Sequence, residues 1–316
     1  MNSHALISII TPVLNAEATL AESLESVVAQ DYSRVEHLLI DAASSDRTLE
    51  IAARYPHLKV ISESDRGIYD GMNKGANLAS GEWLLFLQSD DWLPSGTLVT
   101  YQEAIRKNPS AMMICGGAEA VKNHNSRWTR IWSVDDRERK KLTVENIVLG
   151  EPMINARLIR RECFHQLGGF SLEYSLASDR DFLLRAVEAD LKQVELSILT
   201  YCYRWHSGSS TMTEGNKLSE RLSLENLAIA RKYLTQIKGE DREIFKKWHS
   251  RLLVQKAMNA IESPGMHGLT AAVREGVAFD LTWPFQLIAE MARSLPGFLA
   301  RGGKTKSRLL QEGKCL

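Results

Sequence analysis

A chain of 316 residues with Lys+Arg 39 against Asp+Glu 39 carries no formal net charge, which argues against a nucleic-acid partner. Its 44% hydrophobic and 25% charged residues are ordinary for a soluble globular protein, and its length suits one large domain with an appendage. Cys115, Cys163, Cys202 and Cys315 are scattered without C-x-x-C or Cys/His spacing, which excludes the usual zinc patterns and reads as reduced thiols. The start lacks a basic stretch, and the apolar run 5–10 is too short for a signal peptide. No segment approaches the ~18–20 apolar residues that span a bilayer, so a cytoplasmic location is expected.

Residues 6–11 read as a strand that Pro12 ends, and 16–30 as a helix with Leu20, Leu24, Val27 and Val28 on one face. A second strand, 36–41, ends in Asp41; Asp46 caps the next helix, which runs to Tyr55 before Pro56 stops it. A strand over 58–62, a helix over 67–79 and a strand over 83–87 follow. This alternation implies a parallel sheet built from βαβ units, an α/β fold. Next come a helix over 95–107, a strand over 111–115 and a polar, tryptophan-bearing stretch over 119–141 that suits an inserted hairpin or loop. Residues 158–167 read as a helix closed by Gly168 and Gly169, 178–189 as another helix, and 194–203 as a strand. From 216 to 300 the pattern is three or four helices, broken at Gly239, Pro264, Pro284 and Pro296.

The stretch from Gly81 to Asp91 says most about chemistry. Its apolar run, 83–87, reads as a strand buried on both faces and leads into adjacent carboxylates, Asp90 and Asp91. Open α/β sheets bind ligands at the carboxyl ends of their strands. Hard oxygen donors there suit Mg²⁺ or Mn²⁺ shared with substrate phosphates; an acidic turn facing water is the plainer reading. Thr11, Asp41, Asp65 with Arg66, and Asp90 with Asp91 follow four successive strands and so converge along one sheet edge. Neither G-x-G-x-x-G nor a P-loop occurs.

In this order the segments resemble family 2 glycosyltransferases. Ile9-Ile10-Thr11-Pro12-Val13-Leu14-Asn15-Ala16 is similar to the family's opening, and Leu39-Ile40-Asp41-Ala42-Ala43-Ser44-Ser45-Asp46-Arg47-Thr48 to its second-strand block. Ser64-Asp65-Arg66-Gly67-Ile68-Tyr69-Asp70-Gly71-Met72-Asn73-Lys74-Gly75 continues the series, and Gln88-Ser89-Asp90-Asp91 resembles the DxD-type metal motif. The resemblance covers roughly residues 6–210. It implies a GT-A, Rossmann-like, mostly parallel sheet flanked by helices over 1–212, with a nucleotide-sugar half (about 1–118) and an acceptor half (about 119–212). Residues 213–316 are then a helical C-terminal extension with a basic tail.

By resemblance, Thr11 and Pro12 lie against the nucleotide base, Asp41 on its uracil-like edge, Arg66 near the phosphates, Asp90 on the ribose and Asp91 on a divalent cation, Mn²⁺ or Mg²⁺. Ala42 and Arg47 stand at glycine-favoured positions, so that loop is expected to take a different path. Ala177-Ser178-Asp179-Arg180-Asp181-Phe182-Leu183-Leu184-Arg185 resembles the acidic helix start that carries the catalytic base. Asp179 takes that place, Asp181 is its rival on the acceptor side, and an N-cap is the structural alternative. Gly168 and Gly169 resemble the turn near the acceptor, although a helix C-cap explains them equally. Tyr203-Arg204-Trp205-His206-Ser207-Gly208-Ser209-Ser210 resembles the closing motif, where His206 is a further metal or phosphate ligand. Tyr201 replaces the glutamine of the processive Q-x-x-R-W motif, so processivity and a membrane channel are not expected. Trp92, Trp128, Trp132 and Trp205 read equally as sugar platforms or as packing.

The implied activity is inverting transfer of a sugar from a nucleotide-diphosphate donor, a UDP-sugar, to a hydroxyl of a glycan or lipid-linked glycan. Its setting is bacterial surface polysaccharide or lipopolysaccharide synthesis. A sugar-phosphate nucleotidyltransferase would carry a glycine-rich basic loop after the first strand, which 11–19 lacks. A non-catalytic nucleotide-sugar scaffold would have no need of both Asp91 and Asp179. Near the end, apolar segments 281–288 and 295–300 adjoin Arg293, Arg301, Lys304, Lys306, Arg308 and Lys314, with Glu312 the opposing acid. That pattern fits peripheral docking on an anionic membrane at the inner face, or a solvated tail behind a helix that forms a homo-oligomer.

Overall fold

The computed structural model describes residues 4–124, 127–206, 217–262 and 268–289. In chain order the elements are β1 (Ile7–Val13), α1 (Leu20–Val28), β2 (Val35–Asp41), α2 (Thr48–Ala52), β3 (Leu58–Ser62), α3 (Ile68–Leu78) and β4 (Trp83–Phe86). They continue through α4 (Thr97–Lys107), β5 (Met113–His124), β6 (Arg127–Val134), α5 (Arg137–Lys140), α6 (Val144–Leu149), β7 (Arg157–Arg160), α7 (Arg161–Gln166), α8 (Ser178–Glu188) and β8 (Gln193–Trp205). The helices α9 (Lys217–Gln236), α10 (Glu240–Glu262) and α11 (Leu269–Phe279) precede a short helix at 283–289. The expected breaks at Pro264 and Pro296 and the basic tail lie outside the described residues.

One eight-stranded sheet runs in the order β3-β2-β1-β4-β7-β5-β6, with β8 beside β5. β1 is parallel to β2 and β4, and β2 is parallel to β3. All seven residues of β1 are buried, as expected of a strand covered on both faces. The strand order reverses between β1 and β4, so their carboxyl ends open the crevice where such sheets hold ligands. On one face, α3 approaches β1 closely because Gly75 has no side chain; a Cβ there would lie 2.3 Å from Ile10 Cγ2. Trp83, Leu85, Leu87, Leu98, Tyr101 and Ile114 contribute to a large core cluster.

The helix expected over 158–167 forms only in its second half. Residues Arg157–Arg160 are a strand, antiparallel to both β4 and β5. A short apolar run carries no period that separates helix from strand, and here the gap between two strands supplies ladder partners on both sides. The stretch 119–141 is largely a hairpin: β5 extends to His124 and pairs with β6.

The chain divides into two compact units, residues 1–147 with 151–209, and 148–150 with 210–316. The second unit packs its helices around Leu227, Leu253, Ala257, Ala272, Trp283 and Leu287. No described helix is long and apolar enough to cross a membrane.

Candidate active site

The β1 and β2 ends are knitted together before any ligand is considered. Thr11 is fully buried, and its Oγ1 lies 3.0 Å from His37 Nε2 in the neighbouring strand. Asp41 is fully buried as well; its carboxylate accepts the Ser44 N–H at 3.1 and 3.2 Å and the Ser62 hydroxyl at 2.6 Å. Pro12 is buried beside them. In this conformation Thr11 and Asp41 lie at the adjoining β1 and β2 ends with their polar atoms already hydrogen-bonded within the sheet and its loop.

The loop after β2 does take an unusual path, although not at the expected residues. Positive φ falls on Ala43 (62°), whereas Arg47 has φ −80° just before α2. A left-handed alanine costs ~1–2 kcal/mol, and it brings the Ser44 N–H back onto Asp41. Ser44 and Ser45 then bond Asn15 across the crevice at 2.9 and 2.8 Å.

Burial, with His57 nearby, lowers the His37 pKa to about 3 from an unfolded value near 6.5. The unfolded chain thus binds the extra proton throughout that window, and the stability that neutral His37 permits is lost as pH falls below 6.5. The expected loss is about 1.4 kcal/mol per pH unit. Thermal melts from pH 7 to 4 should be steeper for the wild type than for His37→Gln; identical slopes would reject this origin.

The acid pair is split by the alternation of the backbone. Asp91 turns inward, 4% exposed, where its Oδ2 accepts the Tyr201 hydroxyl at 2.7 Å and its Oδ1 the Arg204 N–H at 2.8 Å. Burial and the adjacent Asp90 push its carboxyl well above the usual range. Trp92 bridges Cys202 next to it, so this loop is clasped to β8. Asp90 faces outward, and its Oδ2 lies 2.9 Å from His206 Nε2, with both side chains half-buried. The resemblance implies a cation on Asp91 and the ribose on Asp90; here each Asp91 oxygen accepts one bond from β8, whereas Asp90 carries the outward pair with His206. One carboxylate and one imidazole fit a Mg²⁺ or Mn²⁺ whose remaining ligands are substrate phosphates and water. Among the described residues no cluster of three such side chains would hold a cation by protein alone.

Arg204 binds the same loop from outside. It donates to the Asp90 carbonyl at 2.7 Å and to Glu22 at 2.6 Å, and its guanidinium lies 5.1 Å from the Trp92 ring and 5.0 Å from the Trp128 ring. Trp92 and Trp128 therefore pack an arginine, and Trp132 packs on Tyr203. Arg66 is exposed past β3, where it ion-pairs with Asp70.

Asp179 sits in the first turn of α8. The N-cap is Ala177, so the capping alternative for Asp179 does not hold. Its Oδ1 accepts the Arg180 N–H at 2.7 Å, and the Tyr69 hydroxyl is bonded to it. Burial raises its pKa against the lowering effect of Arg180. The phenol of Tyr203 feels both Asp91 and Asp179 and is itself pushed well up, mainly by burial. Tyr203 thus lies within electrostatic reach of both carboxylates.

Asp181 is a different group altogether. It is 1% exposed and paired with Arg185 at 2.8 Å, one helical turn on. Arg185 in turn donates to the carbonyls of Leu167 and Gly169. Gly168 (φ 81°) and Gly169 (φ 67°) close α7 with N–H bonds to His165 and Phe164 at 2.9 and 3.0 Å. These three positions, expected on the acceptor side, are a helix C-cap and its brace. Asn73 completes the brace, bonding the Phe170 N–H at 2.9 Å and its carbonyl at 2.8 Å. Sequence reasoning does not single out Tyr69 or Asn73, which only α3 packing brings here. Tyr201 is visible in sequence only as a departure from Q-x-x-R-W.

The description "Glycosyl transferase family 2" matches residues 8–168. The chain belongs to this family. Its mycobacterial relative, the PGL/p-HBAD biosynthesis glycosyltransferase of Mycobacterium bovis, is 33% identical over 186 residues, 57% of this chain and 69% of that one. Among solved structures, S. aureus TarS 1-349 aligns with TM-score 0.61 at 20% identity, over 90% of this chain and 82% of that one. The mannosyltransferase PcManGT of Pyrobaculum calidifontis, crystallised with GDP-Man and Mn²⁺, aligns with TM-score 0.58 at 16% identity, over 93% and 81%. The fold of this transferase is GT-A, and the protein is a glycosyltransferase.

Proposed function

We propose that this transferase moves a sugar, with inversion, from a UDP-sugar to a hydroxyl of a glycan or lipid-linked glycan, in bacterial surface polysaccharide or lipopolysaccharide synthesis. The observation that carries the reading is the outward carboxylate–imidazole pair of Asp90 and His206, held 2.9 Å apart beside the β8 end. Asp179 takes the acceptor hydroxyl's proton as that oxygen attacks the anomeric carbon from the face opposite the departing diphosphate. Its raised pKa makes it a stronger base than an ordinary aspartate. Arg66, exposed at the end of the third strand, attracts the donor phosphates. Asp90 and His206 would hold a divalent cation, which when bound offsets the charge gathering on the leaving diphosphate. Asp91 keeps this loop in register with β8.

A UDP donor is supported by the structural neighbour TarS, which was crystallised with UDP-GlcNAc. A panel of UDP-, GDP- and dTDP-sugars, assayed for Mn²⁺-dependent nucleotide release, is expected to single out a UDP-sugar. Release confined to a GDP-sugar would overturn the donor assignment.

Peripheral attachment at the inner face of the membrane is supported by the second unit. Leu281, Phe285 and Ile288 are 82%, 73% and 60% exposed, whereas Trp283 and Leu287 of the same segment enter the core. An apolar outer face ahead of six Lys/Arg suits anionic lipid. In flotation assays the full chain should bind phosphatidylglycerol vesicles, and Leu281→Ser/Phe285→Ser/Ile288→Ser should lose about tenfold or more in affinity. Equal binding by both proteins would reject this surface; concentration-dependent dimerisation lost in the variant would assign it to a second copy.

A further inference from the structure

A second concavity lies behind the sheet. Its lining includes Ala5, Arg34 and Glu82, which immediately precede β1, β2 and β4, so it opens at the amino ends of the strands whose carboxyl ends carry the candidate active site. The cavity measures about 300 Å³, at the lower end of the range for small-molecule sites. His4, Arg34, Arg106 and Arg160 line it against a single acid, Glu82. Elsewhere Arg47, Arg66, Arg130, Arg185, Arg204 and Arg231 take a carboxylate partner. Here three arginines line one hollow, and none of them is ion-paired to a described residue. In a chain of zero net charge, that local excess concentrates positive potential in one hollow.

The lining is also prepared for oxyanions. Arg160 is fixed by donating to the carbonyls of Ala111 and Pro109 at 3.2 and 3.1 Å, with its guanidinium stacked 4.7 Å from the Trp83 ring. A guanidinium held this way gives up little entropy on meeting a ligand. The Gln102 carbonyl oxygen is taken by the Ala5 N–H and the Tyr32 hydroxyl at 3.0 and 2.8 Å, which leaves its amide N–H groups as donors. In the same wall, the buried Trp83 indole N–H has no partner, and such a group normally finds one.

We propose that this hollow is a phosphate-binding site, separate from the donor site and independent of the transfer reaction. The recognised chemistry is a phosphate or diphosphate group, which the arginine forks meet bidentately. The group could arrive free in solution or displayed on a lipid headgroup, and the test distinguishes these sources.

The full chain, without divalent cation, is titrated with inorganic pyrophosphate while melting temperature and binding heat are followed. A saturable rise in Tm is expected, retained in Asp90→Ala and weakened about tenfold or more in Arg34→Gln/Arg106→Gln. Both arginines are exposed, so this variant should fold; its unchanged Tm without pyrophosphate provides the check. A shift lost in Asp90→Ala but kept in the arginine variant would assign binding to the donor site and overturn the proposal. So would an equal shift from chloride at matched ionic strength. Vesicles of phosphatidic acid form the second arm, run in the Leu281→Ser/Phe285→Ser/Ile288→Ser background. Arginine-dependent binding to vesicles but not to free pyrophosphate assigns a lipid phosphate, and binding to neither overturns the site.

Discussion

Asp179→Asn is expected to abolish most turnover while leaving donor binding intact. The change keeps the size of the side chain and removes its capacity to accept a proton, so the acceptor hydroxyl attacks without a base. Losses from removing such a group run to ~10²–10⁴-fold in rate. Binding of the UDP-sugar, measured by calorimetry, should stay within a few-fold of wild type if Asp179 acts on the acceptor as proposed. The same residue sets the acid limb of the pH profile. Burial raises its pKa, so kcat/KM should rise with pH through a midpoint above that of an ordinary carboxylate. For stability the sign is opposite. The fold favours the protonated form, so this group's contribution falls as pH rises, and Asp179→Asn should melt at or above the wild-type temperature at neutral pH. Full transfer activity in Asp179→Asn would sink the base assignment. A collapse of donor binding in that variant would show that Asp179 holds the donor.

The second large effect separates two adjacent acids that sequence alone treats as a pair. Asp90→Ala should fold normally, since its side chain is half-buried and its recorded partner is His206. It should lose Mn²⁺-dependent donor binding, and His206→Ala should lose part of it. Asp91→Ala should instead cost about 2–4 kcal/mol of stability, because the Tyr201 hydroxyl and the Arg204 N–H are left buried without an acceptor. Chemical denaturation and donor calorimetry on both variants decide the matter. If Asp91→Ala kept wild-type stability and lost only metal-dependent binding, the roles would revert to those the family resemblance implies.

Both predictions bear on how much of the site was legible beforehand. The alternation of apolar runs with helical periods located β1 to β4 and the intervening helices, because each run is long enough to carry its own period. The same logic failed over 158–167, where four residues are too few for a period and the neighbouring strands decided the outcome. The motif series likewise placed Asp90, Asp179 and His206 at element ends, where the structure has them. It could not tell which acids point outward.

Local sequence thus determined the α/β class, the family and the strand ends at which chemistry is placed. These follow from residue type and spacing along the chain, which are short-range properties. The tertiary structure decided which groups each carboxylate meets. Asp41, Asp91 and Asp181 were equivalent in sequence to Asp90 and Asp179 as candidate acids. In the fold each of these three accepts a bond from a partner, Ser62, Tyr201 and Arg185 in turn. For Asp41 and Asp91, those partners lie 21 and 110 residues away in sequence. Only a folded sheet brings such groups within 3 Å, because a hydrogen bond needs contact in space and sequence distance carries almost no information about it.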